Sequence, residues 1–564
     1  MPVISSLALR RLVCSLLLAA VPLTRPAAQQ PAFTHADTLR GSITPERAWW
    51  DVVFYDLHVR LDPADSTVRG WNGITYRVTG ASRALQIDLQ APMEIDSVLQ
   101  DGHRLTYRRD GNAFLVTPAG KQAKGSLRAL TVYYHGRPRV AQRPPWDGGL
   151  IWARDPDGGV WISTACQGLG ASVWWPTKDT QADEPDSQRV ALTVPDSLQA
   201  VGNGRLRGVT RADDGWSTWE WFVTSPINNY DVAPYIGRYA QYTDRYVGES
   251  GVLTLDFRPL AQHVDASRHQ WDQVKPMLQC FEHWFGPYPW YRDGYQLIEA
   301  PHLGMEHQSA VAYGNGYRNG YKGTDLSGTG WGLTWDFIVI HESAHEWWGN
   351  SLTTADVADM WVHESFANYS ESLFTECQYG TAAGAAYQRG TRKLVKNEKP
   401  IVGPYGVNAE GSADMYYKGG NMLHTIRQVV GNDSVWRATL RGLQRDFAHQ
   451  VVTGRQVQEY ISSHTGADLR KVFQQYLTTT KIPAFEYRLD GRTLVYRWAD
   501  VVPGFAMPVR VAVSPDSSVR LTPTERWQRA TLALAAPEDF HVDENFFIVP
   551  RRVEPSGAAT GAPR

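Results

Sequence analysis

Two histidines set four residues apart in the segment HESAHEWWGN, residues 341–350, constrain the fold of this chain more than any other feature. On a helix, His341 and His345 project from one face, one turn apart, so both imidazoles can reach the same metal ion. Glu364 follows His345 after eighteen intervening residues and supplies a third ligand. Two imidazoles and one carboxylate predict a single Zn²⁺ per chain, with the fourth coordination position open as in hydrolytic sites. Glu342, directly after the first ligand, is the predicted general base.

The five-residue pattern also arises by chance on buried helices, so its context decides how it is interpreted. The residues that precede it form an apolar run without proline, as a helix that carries metal ligands into a core requires. The apolar residues of this run are Trp335, Phe337, Ile338, Val339 and Ile340. The pattern and its context together favour a catalytic metal site over a chance match.

Three further segments occur in a fixed order along the chain: CQGLGASVWWPTKD at 166–179, HLGMEHQSAVAYG at 302–314 and MYYKGGNML at 415–423. With the histidine motif, they resemble the zinc aminopeptidases of the aminopeptidase N and leukotriene hydrolase type, gluzincins whose signature is HExxH, eighteen residues and then Glu. The second segment is similar to the G-x-M-E-N exopeptidase motif of that family, and the third to its Y-x-K-G segment. The resemblance extends from about residue 45 to about residue 485.

The resemblance assigns substrate-binding roles to four residues outside the metal motif. Glu306 takes the position that binds the free α-amine of the substrate, and Gly304, Met305 and Gln167 take neighbouring substrate-contacting positions. A carboxylate suits this task, because a charged hydrogen bond to an ammonium group is stronger than a neutral one and is missing for a blocked peptide. Without the resemblance, Glu306 would be interpreted as an ordinary loop carboxylate.

Tyr416, two residues before Lys418, takes the position of the family's transition-state tyrosine. Its role would be to donate a hydrogen bond to the oxyanion that forms as the carbonyl is attacked. In a chain with 26 tyrosines it could equally be a packed aromatic residue, and Tyr417 is the alternative candidate. The spacing of the motif, and not the residue type, favours Tyr416.

Two histidines stand where the family usually has asparagine: His307 after the exopeptidase glutamate, and His363 before the third metal ligand. Neither change removes a ligand or the base. Because an unperturbed imidazole titrates near neutrality, we expect both residues to affect subsite preference and the pH dependence of activity.

The hydrophobic pattern predicts a multidomain α+β fold. Alternating residues such as Tyr55, Leu57 and Val59 indicate strands in the N-terminal part. The family resemblance implies that these strands form a β-sheet saddle domain. The pattern becomes helical from about residue 255, in the thermolysin-like, mainly α-helical catalytic domain, and alternation returns near the C-terminus. A chain of 564 residues leaves no room for the large helical C-terminal domain of longer family members, so a more open cleft is expected. The expected boundaries are 1–28 for a signal peptide, 45–245 for the N-terminal β domain, 250–483 for the catalytic domain, 484–552 for a small β domain and 553–564 for a disordered tail.

The N-terminus predicts export to the periplasm or the exterior. Arg10 and Arg11 precede an apolar run over 12–23, which suits a signal peptide and is too short to cross a bilayer.

Three cysteines remain after signal removal, so at most one disulfide can form. They are Cys166, Cys280 and Cys377.

The sequence therefore predicts an exported zinc metalloaminopeptidase that removes N-terminal amino acids from peptides by attack of a zinc-bound water on the first peptide bond. With 56 basic and 58 acidic residues, nothing indicates a nucleic-acid partner, and no integral membrane span is expected. The oligomeric state is left open. Three alternatives remain: a zinc endopeptidase with the same metal site, an epoxide hydrolase side activity, and a non-catalytic peptide-binding module on a peptidase scaffold.

Overall fold

One long mixed sheet of eight strands forms the base of the N-terminal part of the molecule. In the computed structural model, which describes residues 33–554, the central strand Trp50–Asp62 places Tyr55, Leu57 and Val59 in the core, as their alternation predicts. This strand pairs antiparallel with its sequence neighbour and parallel with Ser187–Pro195. In spatial order the strands are Arg205–Arg211, Trp216–Val223, Ser187–Pro195, Trp50–Asp62, Thr67–Val78, Leu127–Gly136, Glu94–Gln100 and His103–Arg104.

Two smaller sheets pack with the long sheet around one apolar core, which also contains Trp174 and Trp175. The four-stranded sheet consists, in spatial order, of Gln199–Val201, Tyr235–Gly237, Val160–Ala165 and Gly149–Arg154. The three-stranded sheet consists of Leu85–Asp88, Ala113–Val116 and Tyr107–Asp110. The N-terminal part is thus β-rich, as the turn-punctuated alternation predicts.

A five-stranded sheet opens the part of the chain that carries the metal motif. Its strands, in spatial order, are Tyr242–Gly248, Gly251–Arg258, Tyr295–Glu299, Val311–Tyr313 and Gly304–Met305. The helical pattern expected from about residue 255 begins later, because residues up to Arg258 pair in this sheet. The predicted boundary at 245–250 falls inside the hairpin formed by the first two strands.

Helices pack on this sheet and carry most of the apolar residues of a second core. A short parallel pair, Leu352–Thr354 with Gln450–Val452, lies among them. Within residues 33–554 the α-helices are His35–Gly41, Pro45–Ala48, Val264–Gln270, Val274–Phe285, Phe337–Ala344, Trp361–Tyr379, Thr381–Gly390, Tyr417–Val430, Asp433–Asp446, Gly454–Thr465 and Arg470–Thr478. In this described range, each helix falls short of the length and apolar character that crossing a membrane requires.

A disulfide joins two of these helices. Cys280 on Val274–Phe285 is bonded to Cys377 on Trp361–Tyr379, and Cys166 is a free, buried thiol. With the predicted signal peptide removed, the sequence allows at most one such bond but does not select the pair, because pairing depends on which helices the fold brings together.

Two small sheets close the C-terminal part, and the hairpin predicted around Asp490-Gly491 is present. The first sheet consists of Gln528–Thr531, Thr493–Ala499, Ala484–Asp490 and Val549–Arg552, and the second of Ser517–Leu521, Val509–Ser514 and His541–Val542. Their apolar side chains belong to the same core as the helices of the metal-binding part. The predicted α+β class is confirmed, whereas the domain boundaries stay predictions. The proposed signal peptide at 1–28 and the tail from 555 onward lie outside the described residues.

Candidate metal centre

The three predicted ligands meet in the interior of the second part. His341 lies on the helix Phe337–Ala344, His345 is the residue that ends this helix, and Glu364 lies on Trp361–Tyr379. The Nε2 atoms of His341 and His345 are 3.6 and 3.5 Å from Oε2 of Glu364. One donor atom from each residue lies within 4.8 Å of the other two, and all three residues are buried. The sequence spacing thus places two nitrogen donors and one oxygen donor around one point.

The other nitrogen of each imidazole is anchored by the protein. Nδ1 of His341 lies 2.8 Å from Oε1 of Glu371, and Nδ1 of His345 lies 2.9 Å from the backbone carbonyl oxygen of Trp348. These bonds fix the ring orientations and leave both Nε2 atoms free to bind a metal. Sequence reasoning missed Glu371. Helical periodicity could have indicated it, because Glu371 follows Glu364 by seven residues and so lies on the same helix face.

The donor set fits a zinc ion. Oε2 of Glu364 is buried, and within residues 33–554 it has no hydrogen-bond partner although two imidazole nitrogens face it. Burial opposes ionisation of Glu364, but the neighbouring His345 and His341 hold the pKa of its carboxyl below the usual range. An ionised carboxylate and two anchored imidazoles are the ligands of a catalytic zinc site.

Glu306 lies beside the ligands, held by residues from the N-terminal part. Nε2 of Gln167 donates to Oε1 of Glu306 at 2.7 Å and to Oε1 of Glu364 at 3.2 Å, and so links the two carboxylates. The hydroxyl of Tyr230 donates to Oε1 of Glu306 at 3.2 Å. Tyr230 was not predicted, and no local pattern indicates it, because only the tertiary fold brings this residue of the N-terminal part to the site.

The histidine motif also supports the loop that carries Glu306. Glu346 accepts hydrogen bonds from the backbone amide of Ser309 at 2.9 Å and from the hydroxyl of Tyr288 at 3.0 Å. Asn350 donates from Nδ2 to the backbone carbonyl oxygen of Glu306 at 2.8 Å and to Oε2 of Glu346 at 3.2 Å. One ten-residue segment therefore contributes two metal ligands and fixes the position of the predicted amine-binding carboxylate.

A cavity of about 720 Å³ brings the remaining predicted residues together. Glu342 lines it, and burial raises the pKa of the Glu342 carboxyl although His341 opposes the shift. The edge strand Gly304–Met305 lies close to the Glu342 side chain, since a Cβ atom on Gly304 would lie 2.7 Å from Oε1 of Glu342. All predicted site residues line this cavity: Gln167, Gly304, Met305, Glu306, His341, Glu342, His345, Glu364 and Tyr416.

Tyr416 and Tyr417 both border the cavity. The ring of Tyr416 stacks on that of His341, with centroids 6.0 Å apart. Burial, followed by the charge of Glu364, raises the pKa of the Tyr416 hydroxyl well above its usual value, so this hydroxyl stays neutral and able to donate a hydrogen bond. Burial, followed by the charge of Glu371, also raises the pKa of the Tyr417 hydroxyl.

Contrary to the expectation from sequence, the two unusual histidines do not titrate near neutrality. Nδ1 of His307 lies 2.6 Å from the hydroxyl of Tyr235, and Nε2 of His363 accepts a hydrogen bond from the backbone amide of Thr354 at 3.1 Å. Both rings are fully buried and do not line the cavity. Burial lowers the pKa of His307 well below its usual value and that of His363 to about 3, so both imidazoles are neutral at physiological pH.

Comparison with known proteins matches one part of the chain to a peptidase family. The model of the peptidase family M1 domain matches residues 270–476, which contain the three ligands, Glu306, Glu342 and Tyr416. Residues 270–476 are thus similar to an M1 peptidase domain. This match confirms the resemblance to the aminopeptidase N group, and together with the donor set it indicates a zinc cofactor for the M1 domain.

Relatives of the M1 domain share low sequence identity with this chain. Aminopeptidase N of Streptomyces lividans is 26% identical over 55% of this chain and 39% of its own length. Tricorn protease-interacting factor F2 of Thermoplasma volcanium is 20% identical over 60% of this chain and 43% of its own length. The chain thus spans about two fifths of the curated relatives it matches.

The fold is also found in a solved structure. The M1 zinc metallopeptidase from Deinococcus radiodurans superimposes with a TM-score of 0.67 and 21% identity, over 79% of this chain and 98% of that one. At this identity the similarity supports the M1 fold of the chain, and the assignment of an activity depends on the site itself.

Proposed function

We propose that this chain is an exported zinc aminopeptidase that removes the first amino acid from peptides with a free N-terminus. The observation that carries the proposal is the link through Gln167, which donates to both Glu306 and Glu364. An amine-binding carboxylate is thereby held next to the metal ligands. A peptide whose α-ammonium group binds Glu306 would present its first peptide bond, and no later one, to the metal.

The mechanism assigns the proton transfer to Glu342. When bound, the zinc ion supplies Lewis acidity, which polarises the scissile carbonyl and acidifies water. Glu342 accepts the proton of the attacking water and passes it to the leaving amine. Burial suits Glu342 to this role, because a raised carboxyl pKa brings a general base closer to the operating pH.

Tyr416 stabilises the charge that develops on the carbonyl oxygen. Its hydroxyl stays protonated and lies beside His341, at the wall of the cavity that holds the ligands. A hydrogen bond that forms only as the oxyanion develops lowers the barrier without strengthening ground-state binding. Gln167 and Tyr230 orient Glu306, so the α-amine is held while the carbonyl reacts.

Export has two independent supports. The basic pair Arg10 and Arg11 followed by an apolar run is typical of a signal peptide. The bond between Cys280 and Cys377 is typical of proteins that fold in an oxidising compartment. Cell fractionation, with sequencing of the N-terminus of the recovered protein, tests this part. Recovery of an uncleaved chain from the cytoplasm would contradict it.

The activity is tested with paired free and N-acetylated aminoacyl chromogenic substrates, before and after chelation and zinc restoration. We expect cleavage of the free-amine substrates alone, lost with the chelator and restored by zinc. Cleavage of the N-acetylated substrates as fast as the free-amine substrates would favour an endopeptidase. Binding of peptides without cleavage of either kind would favour a non-catalytic module.

A further inference from the structure

One carboxylate in the wall of the cavity has no role in the mechanism above. Glu410 is part-buried and lines the cavity together with Gln167, Gly168, Glu306 and Ala413. Among the residues that the structure describes, none forms a hydrogen bond or ion pair with its side chain. An ionisable group that faces a binding cavity without a protein partner is available to a ligand of opposite charge.

Glu410 stands on the side of the cavity where the α-amine binds. A Cβ atom on Gly168 would lie 3.2 Å from Oε1 of Glu410, and Gly168 directly follows Gln167, which holds Glu306. The loop of Glu410 is tied to the same segment, because Nδ2 of Asn408 donates to the carbonyl oxygen of Gly168 at 3.4 Å. The Glu410 carboxylate is therefore next to the position of the first residue of a bound peptide.

The surroundings of Glu410 favour its neutral form. Burial, followed by the charges of Glu364 and Glu306, raises the pKa of the Glu410 carboxyl, and the opposing cation is the exposed Lys399. A cationic group brought against Glu410 would stabilise its ionised form. The neighbouring wall is formed by small residues, since Gly168 has no side chain and Ala413 has only a methyl group.

We propose that Glu410 binds the side chain of the first substrate residue and makes the enzyme favour peptides that begin with lysine or arginine. The inference rests on the proposed aminopeptidase function. With the α-amine at Glu306 and the carbonyl at the metal, the first side chain extends along the wall formed by Gly168 and Ala413. A lysine or arginine side chain then places its cation at Glu410, where a charge-assisted hydrogen bond forms.

The test compares lysyl, arginyl and norleucyl chromogenic substrates, because norleucine matches the lysine stem without the ammonium group. We expect Glu410→Gln to lower kcat/KM for the two cationic substrates about 10- to 100-fold, the range for loss of a charged hydrogen bond, and to leave the norleucyl value within about twofold. Glu398→Gln is the matched control: it removes an exposed carboxylate from the same loop region and should change none of the three values. Glu410→Asp should restore part of the lysyl preference.

Three results would overturn the inference. An equal loss for all three substrates would mean that Glu410 holds the α-amine instead of the side chain. Unchanged kcat/KM for all three substrates in Glu410→Gln would mean that the carboxylate does not contact the cation. If the wild type cleaves no substrate, the proposed activity fails, and calorimetry of the zinc-loaded protein with L-lysine amide and L-norleucine amide tests the inference alone. Equal affinities would then overturn it, whereas a lysine preference that Glu410→Gln abolishes would support it.

Discussion

Asn350 and Glu306 are joined by a hydrogen bond from the side-chain amide of one to the backbone carbonyl oxygen of the other, at 2.8 Å. They lie on different elements, the turn after the zinc-binding helix and the loop after the edge strand Gly304–Met305. The distance between the proposed amine anchor and the metal ligands is therefore set in part by a residue that contacts neither substrate nor metal. Such a residue positions the site without taking part in the chemistry.

We expect Asn350→Ala to raise KM for free-amine substrates about tenfold while kcat falls less, because the α-amine anchor loses its fixed position and the metal ligands do not. Steady-state kinetics with zinc at saturation checks this. Asn72→Ala is the matched control, since Asn72 is buried and donates one bond of 2.8 Å, to the carbonyl oxygen of Pro176. It should lower stability in the same way and leave KM unchanged. An equal KM effect in both variants would contradict the positioning role.

Replacing the proposed base separates chemistry from metal binding. Glu342→Gln should lower kcat by about 10²- to 10⁴-fold, because the amide cannot accept the proton of the attacking water. Zinc content should be unchanged, since Glu342 is not one of the three residues whose donor atoms lie close enough together to share a metal ion. Elemental analysis of the purified variant, beside its turnover number, provides both measurements. Turnover close to that of the wild type would remove Glu342 from the mechanism.

The bond between Glu371 and His341 predicts an effect on metal affinity. In Glu371→Gln the imidazole loses a charged partner at Nδ1, so we expect about 10- to 100-fold weaker zinc binding, measured by competition with a chelator of known affinity. Glu376→Gln is the control on the same helix. Glu376 pairs with Arg427 at 2.6 Å, so its loss should lower stability without changing zinc affinity. Equal zinc affinity in Glu371→Gln and the wild type would contradict the anchoring role.

Lys418 predicts a dependence of stability on pH. It is buried, its Nζ donates to the carbonyl oxygen of Thr479 at 2.7 Å, and burial lowers its pKa to about 8. In the unfolded chain the pKa is about 10.4, so between these values the folded state binds fewer protons and the free energy of unfolding rises with pH. Relative to Lys418→Met, the wild type should gain up to about 3 kcal/mol between pH 8 and pH 10.4. Urea unfolding of both proteins checks this, and a pH-independent difference would contradict it.

The metal ligands could be predicted from sequence, because their spacing along the chain forms a recognisable motif. Glu306 and Tyr416 were predicted only through the family resemblance, and both line the cavity that contains the predicted ligands. Glu371 could also have been predicted, from helical periodicity. Glu410 could not, because it lies in a loop without a repeating pattern and only the tertiary fold brings it against Gly168.

Contacts between distant parts of the chain also explain why a strand was missed and why the protonation of two histidines differs from the prediction. The strand Gly251–Arg258 pairs with its neighbour Tyr242–Gly248 and also, in parallel, with Tyr295–Glu299, about forty residues further along the chain, and the local pattern does not reveal this second partner. The titration expected for His307 and His363 failed because the sequence does not reveal their complete burial. Local patterns predict which residues share an element, whereas the pairing of distant elements determines burial and therefore pKa.

The apolar core shared by the helices and the C-terminal sheets makes these two parts of the chain a single cooperative structure. Phe473 on the last helix and Trp498 in the hairpin belong to one cluster, and the backbone amide of Phe547 donates to Oγ1 of Thr425 at 2.9 Å. Recombination that replaced the C-terminal sheets alone would uncover apolar surface on the helices. The helices of the metal-binding part and these sheets therefore depend on each other for burial, and we expect neither to keep its fold without the other.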